Sequence, residues 1–225
     1  MIALRFAFSA KKATAVIVPS LVSLALIGCA QQAASDDQRA SAANEASATA
    51  PQGAWRLDET ASRIAFVSVK AGEVAEVHSF KEIKGGVDAD GAAEIVIPLD
   101  SVETNIDIRN DRMREILFET GDYPVAKITA AIDMTTFASL TTGARAEAPT
   151  TVSVDLHGAS VELDADLFVT RISEDRVSVE TAAPIVIDAA TFGLEEGVEA
   201  LREIAGLPSI APLAPVTASL VFEAN

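Results

Sequence analysis

Few residues in this chain could do acid–base, thiol or metal chemistry. Its 225 residues include two histidines, His78 and His157, one tyrosine, Tyr123, and one cysteine, Cys29. The histidines are not at helical or Cys-x-x-Cys-like spacing, and a stable zinc site wants three or four protein ligands, so no metal site is expected. His157 lies in Leu156-His157-Gly158-Ala159, which reads as a tight turn. There a histidine bonded to nearby backbone is the commoner arrangement. Serine and aspartate are plentiful, so counting alone leaves a Ser–His–Asp site open. No nucleophile elbow, Walker loop or glycine-rich dinucleotide turn is present, and no catalytic residue is nominated. One tight basic cluster stands out: Arg109, Arg112 and Arg114. Guanidinium donors of this kind suit an anionic head group. The same arginines could instead pair with Asp107, Asp111, Glu115 and Glu119, as charges on short helices usually do.

The stretch that must position this cluster runs from Ser101 to Pro124. It opens like a strand, with Val102, Thr104, Ile106 and Ile108 alternating at period two. At Asn110 the period changes, and Met113, Ile116 and Leu117 fall on one face of a short helix. Asn110 is the expected N-cap, with Asp111 in the first turn. Phe118 closes the helix, Gly121 permits a stop, and Tyr123-Pro124 restarts an extended chain. Strands dominate elsewhere, so this helix is expected to plug or cap a sheet.

The first 28 residues read as a lipoprotein signal peptide. Arg5, Lys11 and Lys12 form a positive n-region. Ala13 to Ile27 is apolar and uncharged, short for a membrane span of about 20 residues. Leu26-Ile27-Gly28-Cys29 resembles a bacterial lipobox, whose cysteine is lipidated and exposed by cleavage. Two or three acyl chains anchor stably where one does not. Ala30 after the cysteine, rather than Asp, suggests the periplasmic side of the outer membrane. Residues 29–54 are then a lipidated tether. Ala30 to Ala54 has no Val, Ile, Leu or aromatic residue, cannot offset the entropy of ordering, and should span about 25–30 Å as a flexible coil. Residues 55–225 suit a single domain.

The chain has 17 basic and 33 acidic residues, a net charge of −16. Cleavage before Cys29 removes three basic residues and no acidic one, taking the charge to −19. That is the reverse of a nucleic-acid-binding footprint, and no nucleic-acid partner is expected. With one cysteine, no intramolecular disulfide is possible.

Alternation predicts about eight strands. Arg63 to Lys70 carries Ile64 and Phe66 on one face. Val74 to Val87 is a longer extended run, ended by an Asp90-Gly91 hairpin signal. Ala93 to Asp100 carries Ile95, Ile97 and Leu99, with Pro98 marking an edge or bulge. Val125 to Met134 follows, then a small, polar loop from Thr136 to Pro149. Thr151 to Leu156 precedes the cleanest alternation, Val161 to Val169, whose other face is Glu162, Asp164 and Asp166. Val177 to Ile187 returns. Leu194, Val198, Leu201 and Ala205 predict a second helix stopped by Gly206 and Pro208. Val216 to Phe222 is the last strand. Tight turns make the pairs antiparallel. Closing the sheet removes two exposed edges, so the expected fold is all-β: a closed eight-stranded antiparallel barrel with two short helices in its connections.

Five motifs, in order, carry a family resemblance. Arg109-Asn110-Asp111-Arg112-Met113 with Leu117-Phe118 and Tyr123-Pro124 resembles the Arg-Asp-x-x-Leu, Phe-Phe and Tyr-Pro pattern of the YceI-like family. Trp55-x-Leu57-Asp58, Ser62-Arg63-Ile64-x-Phe66, Leu156-His157-Gly158 and Thr191-Phe192-Gly193-Leu194 resemble its other motifs. The resemblance covers Trp55 to Asn225 and implies a lipocalin-like barrel of bacterial periplasmic proteins, binding a long isoprenoid such as a polyprenyl quinone. There are two departures: Lys70 stands where many members have histidine, and His78 where the family has glycine.

The inward apolar face is expected to include Ile64, Phe66, Phe80, Ile95, Ile97, Phe118, Ile128, Leu163 and Phe192, joined by Met113 and Leu117 of the helix. The alanines Ala65, Ala130, Ala165 and Ala218 would leave room. These residues could fill a core or line a tunnel, and the resemblance favours a tunnel. Arg109 and Arg112 would then meet an anionic or quinone head group. The implied function is carriage, storage or protection of a hydrophobic ligand, without catalysis or a resident cofactor other than that bound lipid. A filled barrel acting as a protein-interaction module, or an enzyme on lipids or quinones that uses His157, are the alternatives.

Overall fold

The structure, a computed structural model, describes residues 55–225. The expected signal peptide, Cys29 and the tether lie outside the described residues. Eight strands follow one another in chain order, and each pairs antiparallel with the next. They are β1 (Trp55–Leu57 and Arg63–Lys70), β2 (Val74–Phe80 and Lys84–Val87), β3 (Ala92–Pro98 and Val102–Glu103) and β4 (Val125–Ala131). Then come β5 (Arg145–Leu156), β6 (Ala159–Ser173), β7 (Arg176–Thr181 and Ile185–Asp188) and β8 (Leu213–Ala224). The ring closes where β8 meets both parts of β1, with Trp55 opposite Ala224 and Ala218 opposite Ile64. Closure leaves no sheet edge to be capped, as the alternation required.

Four strands are broken, and local chemistry explains several of the breaks. In β1 the Asp58 carboxylate accepts from the Thr60 and Ala61 amides, making a turn within one strand path. The expected single run from Val74 to Val87 breaks between Phe80 and Lys84, where Ile83 turns into the core. In β3 Pro98 is followed by a 3-10 turn, Leu99–Ser101, consistent with the break a missing N–H invites. The run expected from Val177 to Ile187 is broken at residues 182–184, beside Pro184.

Two expectations need correction. The chain from Thr136 to Pro149 is not a loop. Met134–Ala138 forms a short helix, α2, capped by the Asp133 side chain accepting from the Thr135 amide. β5 begins at Arg145, with small Ala146 and Ala148 opposite Val169 and Leu167. Small residues had disguised a strand. The central helix, α1, starts at Asp107 rather than after Asn110, and runs to Arg112 before widening into a π-helical turn, Met113–Leu117. Asn110 is therefore inside the helix and buried. Its Oδ1 accepts from the Thr104 amide at 2.8 Å and the Thr104 hydroxyl at 2.6 Å, bonding the end of β3 to the helix instead of capping it. The second expected helix is α3, Glu195–Ile204.

The up-and-down order fixes where these pieces lie. α1 joins β3 to β4 and α3 joins β7 to β8, so both cover the end of the barrel where β1 finishes at Lys70. α2 joins β4 to β5 at the opposite end. The hairpin between β5 and β6 is at the α1 end, with His157 and Gly158 both at positive φ. That is the two-residue turn whose twist matches a hairpin.

Candidate functional site

Period-two alternation sends one face of every strand into the barrel. That face surrounds a cavity of about 860 Å³. Ile64 and Phe66 of β1, Phe80 of β2, Ile95 and Ile97 of β3 and Ile128 of β4 line one part of the wall. Val152 and Val154 of β5, Leu167 of β6, Val179 of β7 and Val216 of β8 complete it. An eight-stranded barrel is just wide enough to be filled by side chains or to hold one small ligand. Here the inward positions include Ala126, Ala130, Ala165 and Ala218, and space remains between the larger side chains. Phe66, Phe80 and Phe118 form a chain of tilted aromatic rings, with centroids 5.6 and 6.1 Å apart.

α1 is the lid. Met113, Leu117 and Phe118 point into the cavity from its π-helical turn, where the Phe118 amide reaches back to the Met113 carbonyl at 2.9 Å. Such wide turns are uncommon and are frequent at functional sites. α3 packs on this turn through Gly197, where a Cβ would lie 2.8 Å from the Ile116 carbonyl oxygen. Val198 and Leu201 complete the cover. Ile106 and Ile108 line the cavity yet are 46% and 58% exposed, so the cavity reaches the surface beside the start of α1.

Beneath the lid the wall becomes polar. Along β1 the inward residues run Ile64, Phe66, Ser68, Lys70, and along β2 they run Phe80, His78, Glu76. Glu76 takes both Lys70 at 2.7 Å and Arg109 at 2.9 Å, while Arg109 also donates to the Thr104 carbonyl at 2.6 Å. The lysine hydrogen bond, then the guanidinium charge, hold the Glu76 carboxyl below its ordinary value against desolvation. His78 is 4% exposed and shares a hydrogen bond with the Ser68 hydroxyl through Nε2 at 2.8 Å. Burial, followed by the charge of Arg109, pushes its pKa down, so it is a neutral imidazole at pH 7.

The family profile of the YceI-like domain matches residues 55–222. The chain belongs to the YceI-like family. A polyisoprenoid-binding domain from Saccharophagus degradans, described as implicated in plant cell wall breakdown, is 41% identical. The match covers 77% of this chain and all of that one, with a TM-score of 0.76. BcnA of Burkholderia cenocepacia shares the fold at 18% identity and a TM-score of 0.57, over 73% of this chain and 98% of its own. A search of curated proteins finds no match.

In this YceI-like barrel, eleven of the thirteen residues nominated from sequence line the cavity: Ile64, Phe66, Phe80, Ile95, Ile97, Arg109, Arg112, Met113, Leu117, Phe118 and Ile128. Leu163 and Phe192 do not. Both belong to a second core cluster with Val152, Val154, Ala165 and Leu194, and Phe192 is 1% exposed in the 3-10 turn Ala190–Phe192. Ala65 faces away from the cavity, one residue out of phase with Ile64 and Phe66. The arginines divide. Arg114 pairs with Asp111 and bonds the Asp100 carbonyl, outside the cavity, whereas Arg109 finds its carboxylate across the barrel end on Glu76. Ser68, Lys70, Glu76 and His78 were not nominated. Their positions continue the period-two face of Ile64, Phe66 and Phe80, which is the signal that places them inside. Among the described residues no group of three or more His, Cys, Asp or Glu could hold a metal ion.

Proposed function

We propose that this YceI-like protein binds a hydrophobic isoprenoid-type ligand, a polyprenyl quinone or similar lipid, inside its barrel. It carries, stores or protects that lipid in the periplasm, anchored to the outer membrane through lipidated Cys29. The observation that carries the reading is the apolar cavity of about 860 Å³ under a helical lid. Its size is within the ordinary range of small-molecule sites, about 300–1,000 Å³. The similarity to a relative described as polyisoprenoid-binding supports the choice of ligand class. The driving force is removal of the tail from water, about 25 cal/mol per Å² of apolar surface. A binder, not a catalyst, is what such a wall suits. The alternative of an interaction module on a filled barrel needs an interior without this space. The periplasmic, outer-membrane position rests on the sequence of the first 30 residues.

Native mass spectrometry of the protein, followed by solvent extraction of whatever it holds, tests the ligand. A stoichiometric adduct that extracts as an isoprenoid supports the proposal. A protein that stays free of ligand after incubation with quinones and polyprenyl lipids overturns it. Cys29→Ser should move the protein from the membrane to the soluble fraction. Unchanged membrane association would remove the anchor from the proposal.

A further inference from the structure

His78 has an unfilled hydrogen-bonding position. It is 4% exposed, its Nε2 is taken by Ser68, and its Nδ1 has no partner. Arg109, which lines the same cavity, has a second buried, partnerless atom, the Nε–H of its guanidinium. Buried polar atoms in native proteins are nearly always bonded, so two orphans in the wall of one cavity call for an occupant. Their setting defines it. β1 and β2 pair Phe66 opposite His78 and Ser68 opposite Glu76. The wall therefore passes in steps from aromatic, to a histidine–serine pair, to an ion cluster beneath the lid. An amphipathic molecule would lie with its tail in the barrel and its head at His78.

The chemistry narrows the head group. Ser68 can donate its hydroxyl proton to Nε2, which puts the imidazole proton on Nδ1 and leaves a buried N–H donor on a residue of the cavity wall. Arg109 adds the Nε–H, and two donors ask for an acceptor oxygen. A phosphate would want the forked edge of a guanidinium. Here Nη1 is engaged by Glu76 and Nη2 by the Thr104 carbonyl. Glu76 already offsets one of the two cations it bonds, Lys70 and Arg109. Resting on the isoprenoid reading above, we infer that Ser68, His78 and Arg109 form a head-group site that reads an uncharged carbonyl oxygen, such as that of a quinone.

The test uses three probes with the same short isoprenyl tail, ending in a benzoquinone, in plain hydrocarbon, or in a diphosphate. Binding of each to the purified protein is measured by displacement of a fluorescent lipid. The wild type should prefer the quinone to the hydrocarbon by about tenfold, the worth of one or two net hydrogen bonds. His78→Phe should erase that preference. Independently of any variant, the Nδ1 resonance of His78 in nitrogen-15-labelled wild type should shift with the quinone and stay put with the hydrocarbon. Equal affinity for quinone and hydrocarbon, an unmoved His78 resonance, or preference for the diphosphate overturns this inference while the isoprenoid reading survives. Failure of all three probes to bind overturns both.

Discussion

His78 and His157 both lie at the lidded end of the barrel, and their surroundings differ in one decisive respect. His157 is in the β5–β6 turn at φ +51°, its Nε2 2.9 Å from the Glu119 carboxylate and its ring 4.3 Å from that of Tyr123. It fastens the hairpin to the chain that leaves the lid. The partner is a side chain, not the backbone that turns usually supply. His78 has one bonded nitrogen and one buried nitrogen without a partner, and the residue lines the cavity. A histidine only partly buried, tied by one nitrogen to a carboxylate and stacked beside a tyrosine of its own chain, is structural. One buried with a free nitrogen in a cavity wall has been left for something else. Residue type alone does not separate the two cases, and hydrogen-bond accounting does.

The largest expected effect comes from closing the space that gives His78 its role. Ala165 is 2% exposed and lines the cavity from β6. Ala165→Phe should fill part of the tail site and weaken isoprenoid binding by at least tenfold. The open volume takes up the new ring, so stability should fall by less than the about 1–3 kcal/mol typical of overpacking a filled core. Lipid content after extraction and urea unfolding measure the two. Unchanged lipid content in a folded variant would show that the tail lies elsewhere.

His157→Ala should do the reverse. It removes an aromatic contact worth about 0.5–1.5 kcal/mol and a partly exposed hydrogen bond to a carboxylate, so unfolding stability should fall by about 1–2 kcal/mol. Ligand affinity should not change. A fall in affinity with little loss of stability would make His157 part of the site and break the comparison.

The lid adds a pH dependence distinct from that of His78. Glu103, at the end of β3, accepts from the Asn105 amide and the Asn110 side-chain amide and pairs with Lys81. The lysine bond, followed by the asparagine bond, lowers its carboxyl from the ordinary 4.5 to about 2. A lowered folded-state value stabilises the protein above pH 4.5, and that contribution is lost as the pH falls from there to about 2. Glu103→Gln should flatten acid unfolding in this window. A variant that still loses stability in step with the wild type would assign the acid sensitivity to other carboxylates.

Much of the fold was legible because a half-buried strand keeps its period. Ile64 with Phe66, and the run from Val161 to Val169 against Glu162, Asp164 and Asp166, announce their faces without ambiguity. The rest failed for physical reasons. Ile106 and Ile108 keep strand-like alternation while they are exposed on the helical lid, and this hid the start of α1. Ala146 and Ala148 face inward but are too small to register as an apolar stripe. Leu163 has the right phase, yet it packs into the second cluster with Phe192 rather than bordering open space. Ser68 and His78 interrupt an apolar face, and residue type alone nominates neither for the site. What makes them informative is an unused nitrogen, a property of the packed structure that no spacing encodes.

The smallest expected effect is the sharpest test of the contrast. Burying an imidazole with one nitrogen unsatisfied costs stability, and replacing it by an apolar ring of similar shape removes that cost. The ring at this position already packs beside an apolar neighbour, with its centroid 5.2 Å from that of Phe66. His78→Phe should therefore leave unfolding stability within about 0.5 kcal/mol of wild type, or raise it, because the lost Ser68 bond is set against the removed orphan. The pH profile gives a second readout. Burial, then the charge of Arg109, lowers the folded-state pKa of His78 from 6.5. Stability is thus full above pH 6.5 and declines as the pH falls through the lower folded value, since the unfolded chain takes up the proton more readily. His78→Phe should remove that decline between pH 6.5 and the carboxylate range. A variant destabilised as strongly as His157→Ala, with its acid decline intact, would make His78 a structural residue like its counterpart and leave the cavity without a head-group reader.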